Sequence, residues 1–202
     1  MGVKRGGYRA AARTLLRESL LDSAGELMHD APWSEISMAA IATHAGVSRQ
    51  TLYNEFGSRD EFAQAYALRA ADSFLSEVEG AFDEAASDPE RALEIGFRRF
   101  LELAAQDAMV RHIVVRDPGA DELLSLFTSR GGPVVELGRD RLSAKMLEVL
   151  PEAPPEAARA LAEGIVRLGI SHAGLPVSST DEAAKQVAEL LGPFVRFHLP
   201  GQ

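Results

Sequence analysis

Gly46 separates two short apolar-patterned segments, and its neighbours leave this part of the chain few ways to fold. Residues 37–61 run Ser-Met-Ala-Ala-Ile-Ala-Thr-His-Ala-Gly-Val-Ser-Arg-Gln-Thr-Leu-Tyr-Asn-Glu-Phe-Gly-Ser-Arg-Asp-Glu. Ile41, Ala42, Ala45, Val47, Leu52 and Phe56 can close one small core. Gly46 falls where the chain must turn between two helices without a Cβ penalty. Ser48 is suited to N-cap the second helix. Within that helix Leu52 and Phe56, four residues apart, share the buried side, which leaves Arg49, Gln50, Tyr53 and Asn54 facing outward. Gly57 suits the helix end, and Ser58 with Glu61 three residues on predicts a capping box that starts another helix. Two short helices with a polar outward face on the second predict a helix-turn-helix that enters a DNA major groove.

The net charge of −9 looks wrong for a nucleic-acid binder until it is divided along the chain. Residues 1–69 hold 8 Lys/Arg and 8 Asp/Glu, whereas residues 70–202 hold 13 against 22. Lys4, Arg5, Arg9, Arg13 and Arg17 precede any acid. Affinity for DNA follows local positive potential, so the neutral first segment suits a groove reader and the acidic remainder another task. The 202 residues suffice for a small domain joined to a medium one. With no cysteine, disulfides, Fe–S sites and thiol catalysis are excluded. Neither a secretory signal nor an apolar run of transmembrane length is visible, so the chain reads as soluble and cytoplasmic, with no membrane partner.

Only helices are expected. The stripe Leu16, Leu20, Leu21, Ala24, Leu27 and Met28 predicts a first helix over about 9–29, stopped by Pro32, with Trp33 and Ile36 as plugs beneath the next two. A long helix is predicted over about 58–86. Ser87-Asp88-Pro89-Glu90 then opens one reaching about Gln106. Asp107 starts a short helix ending near Arg116, and breaks follow at 117–119, 130–133 and 151–155. The last two helices are predicted over 155–174 and 181–198.

The spaced set Ile41-Ala42, Ala45-Gly46-Val47-Ser48, Thr51-Leu52-Tyr53, Phe56, Ser58-Arg59 and Phe62, with Trp33 and Ser37 ahead of it, resembles the DNA-binding domain of TetR-family transcriptional regulators. The resemblance covers about residues 10–70. It implies an all-α fold, with an N-terminal three-helix helix-turn-helix domain (10–70) and a helical effector-binding and dimerisation domain (71–202). It also implies that Ser37, Ser48, Arg49, Gln50, Thr51 and Asn54 meet bases or adjacent phosphates, that Tyr53 donates to a phosphate, and that Arg59 anchors the fourth helix on the DNA backbone. The chain departs from the family pattern at Pro32, Gln50, Glu55 and Arg59. Glu55 either reads a cytosine amino group or pairs internally with Arg49 or Arg59. The segment Lys4-Arg5-Gly6-Gly7-Tyr8-Arg9 reads as a flexible basic arm, either solvated or in the minor groove. Arg13 and Arg17 can flank a phosphate.

In the second half, Phe74, Phe97, Phe100, Met109, Ile113 and Phe127 serve either as plain core or, as the resemblance implies, as the lining of a ligand pocket. His112 and His172 stand in apolar stretches and are candidates for the same pocket or for satisfied interior groups. Arg98, Arg99 and Arg116 suit either an anionic head group or ion pairs. The helix 155–174 is rich in small residues (Ala157, Ala158, Ala162, Gly164, Gly169, Ala173). With Phe194, Val195 and Phe197 of the last helix it predicts a two-fold four-helix dimer interface. No metal-ligand spacing, phosphate loop or nucleophile motif is present, so neither an enzyme, a metal nor a cofactor is expected. The functional expectation is a homodimeric repressor on a palindromic double-stranded operator, released by a small, largely apolar effector. A ligand-independent activator or architectural dimer is the alternative.

Overall fold

The computed structural model describes residues 3–85 and 88–198, and among these every regular element is helical. Helix α1 (Val3–Asp30) leads into a 3-10 turn (Trp33–Glu35). The short pair α2 (Met38–His44) and α3 (Arg49–Phe56) follows, then the long α4 (Arg59–Glu84). The second half is α5 (Pro89–Gln106), α6 (Ala108–Val115), α7 (Ala120–Ser125), α8 (Gly132–Val149), α9 (Pro155–Gly174) and α10 (Thr180–His198). The expected first helix over 9–29 is thus extended: α1 begins at Val3, so Lys4–Arg9 continue a helix instead of forming an irregular arm. Of the predicted cap at 87–88, Ser87 lies outside the described residues, and Asp88 accepts from the Arg91 backbone N–H.

Local sequence chemistry sets the boundaries. At the end of α2, Gly46 takes φ +70°. Its N–H reaches Thr43 O, and Val47 N–H reaches Ala42 O at 2.9 Å, the paired bonds that close a Schellman turn. Ser37, Ser48 and Ser58 each accept from the backbone N–H three residues on, so α2, α3 and α4 start on side-chain caps.

Two apolar cores meet along α4. The first joins α1–α3 to the start of α4 through Leu20, Met28, Trp33, Ile41, Leu52 and Phe62. It is completed from the second half by Met109, Leu123 and Leu126. The other core packs the distal half of α4, from Leu75 onward, against α5, α8, α9 and α10. The single helix α4 therefore carries both, with Ala67 in one and Leu75 in the other.

Several of the small residues of α9 are used within the protomer. Ala158 and Ala162 are fully buried within the protomer. A Cβ on Gly169 would stand 3.0 Å from the Phe100 ring, and one on Gly138 of α8 would stand 2.6 Å from Val166. These residues let α5, α8 and α9 approach within one chain. Among the apolar and small residues, α9 leaves Ala160 exposed and Gly164 and Leu168 half-buried, and α10 leaves Leu190 and Phe197 exposed and Phe194 half-buried, with Phe197 80% exposed. Val195, also expected at the interface, is buried in the second core.

Candidate nucleic-acid interface and effector cavity

Helix α3 presents a connected polar face. Ser48 Oγ accepts from Thr51 N–H at 3.1 Å and meets Thr51 Oγ1 at 2.8 Å, which fixes the first turn. Gln50 Nε2 donates to Asn54 Oδ1 at 2.9 Å, one turn apart. The Arg49 guanidinium lies 5.2 Å from the Tyr53 ring centre. Ser37, Ser48, Arg49, Gln50 and Asn54 are exposed, while Thr51 and Tyr53 are half-buried against the helix-turn-helix core. Amide, hydroxyl and guanidinium groups on one exposed helix face are the donors and acceptors that base edges and phosphates require.

Glu55 does not belong to that face. Arg13 Nε donates to its carboxylate at 2.6 Å, and Arg17 donates to its backbone carbonyl at 2.7 Å while lying over the Phe56 ring. The pairing is internal, but its partners come from α1 rather than from Arg49 or Arg59. Both cations sit at the C-terminal end of α3, where the helix dipole favours positive charge. Sequence spacing gave no signal of this contact, because Arg13 and Glu55 are 42 residues apart.

Arg59 departs from its expected role as a phosphate anchor. Its guanidinium stacks 4.0 Å from the Trp33 ring centre, donates to Trp33 O at 2.6 Å and to Ile36 O, and pairs with Glu122 at 3.4 Å. The fork is occupied inside the protein, where it ties the start of α4 to the turn before α2 and to α7.

Between α4, α5, α6 and α9 lies a cavity of about 100 Å³. Phe74, Phe97, Phe100, Ile113 and Phe127, candidates for a ligand pocket, are among its lining, joined by Ala71, Val110, Leu124 and Ile170. Three other candidates do not line it. Met109 is fully buried in the first core and does not reach the cavity wall. His112 joins α6 to α1: its Nε2 lies 2.7 Å from Met28 O and its Nδ1 2.6 Å from Asp117. Both partners are acceptors, so the two bonds coexist when both ring nitrogens carry protons. His172 packs edge-on against Phe97 at 5.7 Å but faces a separate pocket. Of the three arginines weighed as head-group receptors, Arg98 pairs with Asp181 and Glu94, and Arg99 with Glu77. Arg116 takes φ 56° at the end of α6.

Sequence reasoning missed Asp107 as a cavity residue; among the described residues it is the one ionisable side chain in the cavity wall. Its carboxylate caps α6 by accepting from Val110 N–H at 3.0 Å. Burial holds its pKa above the ordinary 3.8, against the pull of the Val110 and Met109 backbone N–H groups and of Arg69 and Arg111. The unfolded chain therefore releases this proton at lower pH than the native protein. The native state binds more protons between the ordinary value and the raised one, so Asp107 costs stability as pH rises through that window. Asp107→Asn keeps a capping side chain and removes the titration. It is expected to raise Tm relative to wild type above the window and to close the gap below pH 3.8; a gap that does not change with pH contradicts this.

Comparison with known proteins places these features. A model of bacterial regulatory proteins of the tetR family matches residues 20–66, and one of the bacterial tetracyclin repressor C-terminal domain matches residues 88–193. The chain is 36% identical to the HTH-type transcriptional regulator AlkX of Mycobacterium tuberculosis over 196 residues, covering 97% of this chain and 92% of that one. The TetR family repressor AlkX from Dietzia sp. strain DQ12-45-1b, implicated in biodegradation of n-alkanes, superposes with a TM-score of 0.80. It is 32% identical, with 90% of this chain and 96% of that one covered. RolR in complex with resorcinol, 20% identical, shares the fold at a TM-score of 0.60 over 94% of this chain and 90% of that one.

Proposed function

This chain belongs to the TetR family of DNA-binding transcriptional regulators, and we propose that it is a dimeric repressor released from a palindromic operator by a small apolar effector. Its relatives are regulators, not enzymes. The observation that carries the effector part is the apolar cavity walled by α4, the helix that also starts the DNA-binding core. Support for an alkyl-chain effector comes from the aliphatic and phenyl lining, and from the similarity to a repressor implicated in biodegradation of n-alkanes.

The segment α6–α7 links the cavity to the reading head. One side of it, through Val110, Ile113, Leu124 and Phe127, faces the cavity. The other holds the DNA-binding helices through His112 to Met28 O and Glu122 to Arg59. A ligand that fits the cavity better in one α6–α7 position shifts the heads toward that state by its differential affinity, and by no more. Dimerisation is assigned to the outward strips of α9 (Ala160, Gly164, Leu168) and α10 (Leu190, Phe194, Phe197), an apolar four-helix contact about a two-fold axis. Direct half-site docking then puts the two α3 helices about 34–36 Å apart or a multiple of that. No helix among the described residues is long and apolar enough to cross a membrane.

Within the reading head, Gln50 and Asn54 are assigned to base edges, and Arg49, Thr51 and Tyr53, with the capping hydroxyls Ser37 and Ser48, to phosphates. Gln50→Ala is expected to relax preference at one base pair by roughly 1–3 kcal/mol. Tyr53→Phe should weaken binding evenly across sequences. Titration of both variants on operator and scrambled duplexes tests the division; equal losses on both duplexes for both variants sink it. Nuclease protection of the DNA flanking the chain's own gene, with and without an alkyl ligand, tests the function as a whole.

A further inference from the structure

A second pocket, of about 220 Å³, opens beyond the effector cavity between α6, the end of α9 and the start of α10. Its mouth is apolar and exposed, with Val115 and Val177 among the exposed residues there. Its walls differ in chemistry from those of the inner cavity. Arg111, His172, Ser178 and Thr180 surround it, whereas Asp107 is the sole polar side chain of the inner one among the described residues. Val110 and Ala173 belong to both walls, so an isopropyl and a methyl group form part of the partition. Ser178 Oγ is buried and has no hydrogen-bond partner. Unpaired hydroxyls are uncommon in interiors, and this one belongs to a residue of the pocket wall, where a small rotation of its side chain would offer it to a ligand.

Size points the same way. The inner cavity, at about 100 Å³, is smaller than the roughly 150 Å³ apolar cavity that accepts benzene. Joined to the outer pocket, it reaches the lower end of the ~300–1,000 Å³ usual for ligand sites.

We propose that the outer pocket is the head-group half of a divided effector site. An unbranched alkyl chain passes between Val110 and Ala173 into the inner cavity, and its oxygen-bearing end, a hydroxyl or carboxylate, stays outside on Ser178, His172 and Arg111. This rests on the inner cavity being the effector site. The direction follows from charge: Asp107 within repels an anion, while Arg111 and the hydroxyl and imidazole groups outside offer donors. Arg111 spends one N–H on His29 Nδ1 at 2.6 Å, and its fork carries others.

The test is calorimetric titration of the full-length protein with 1-octanol and octanoate, with octane as the headless control. Ser178→Val and His172→Phe are expected to lower affinity for both oxygenated ligands about tenfold, the effect of losing one hydrogen bond to a buried site. Octane, which forms no hydrogen bond to either side chain, should lose much less affinity than the oxygenated ligands. Arg111→Gln should affect octanoate alone, which separates a carboxylate effector from an alcohol. Ala71→Phe, inside the inner cavity, should abolish binding of all three. If the outer variants bind every ligand as wild type does, or octane binds while the oxygenated ligands do not, the head-group site is overturned and the inner cavity stands. If Ala71→Phe binds all three normally, or wild type binds none, the effector reading itself falls.

Discussion

Replacing Arg59 by alanine is expected to destabilise the protein by about 3 kcal/mol, because two backbone carbonyls lose a charged donor. Arg59 serves Trp33 O and Ile36 O at once, covers the Trp33 ring and meets Glu122. At roughly 2–4 °C per kcal/mol for a chain of this size, Tm should fall by about 6–12 °C. Arg59→Lys separates the two possible roles. Lysine retains the charge a phosphate anchor needs, but it cannot fork to two carbonyls while lying flat on an indole. A staple therefore predicts that Arg59→Lys loses most of the stability that alanine loses. An anchor predicts near-normal stability and near-normal operator affinity for lysine, and that result would falsify the internal assignment. Thermal melts of the three proteins decide it.

The second large effect belongs to the cavity. Ala71→Phe on α4 and Ile170→Phe on α9 extend phenyl rings into the same space from opposite walls. Filling an apolar void restores contacts that its lining lacks, so neither variant should lose much stability. What disappears is the ligand response. Coupling in such systems changes affinity about 5- to 150-fold, and both variants should bind operator with that change abolished. A variant that still releases DNA on adding ligand, with the cavity filled, would place the effector elsewhere.

These two predictions fall on features of different legibility. The helix-turn-helix could be read because its determinants are local: Gly46 closes the turn, Ser48 caps α3, and Leu52 and Phe56 share one face within a single helix. The phenyl lining of the cavity was legible as composition but not as geometry. Met109 and Ile113 lie one turn apart on one short helix and both belong to the first core, yet only Ile113 also reaches the cavity wall, which depends on where the neighbouring helices leave space. The partners of Arg59, His112 and Glu55 were not legible because Ile36, Met28 and Arg13 lie 23, 84 and 42 residues from them. In each case the partner is a backbone carbonyl or a charge that only tertiary packing brings near. The small residues of α9 were ambiguous for a related reason, since close helix approach within a chain and between chains asks for the same side chains; Ala158, Ala162 and Gly169 serve the first. Asp107 was legible only as a helix start, because an N-cap aspartate is ordinary in sequence; its burial in the cavity wall is what distinguishes it.

The most direct test of the account is protection of the DNA flanking the chain's own gene by the purified protein, read with and without 1-octanol or octanoate. A two-fold reader with an effector cavity predicts a protected near-palindrome whose half-sites lie one helical turn or a whole multiple apart, and loss of that protection at saturating ligand. Protection without sequence preference, or a footprint that saturating ligand leaves intact, would contradict it.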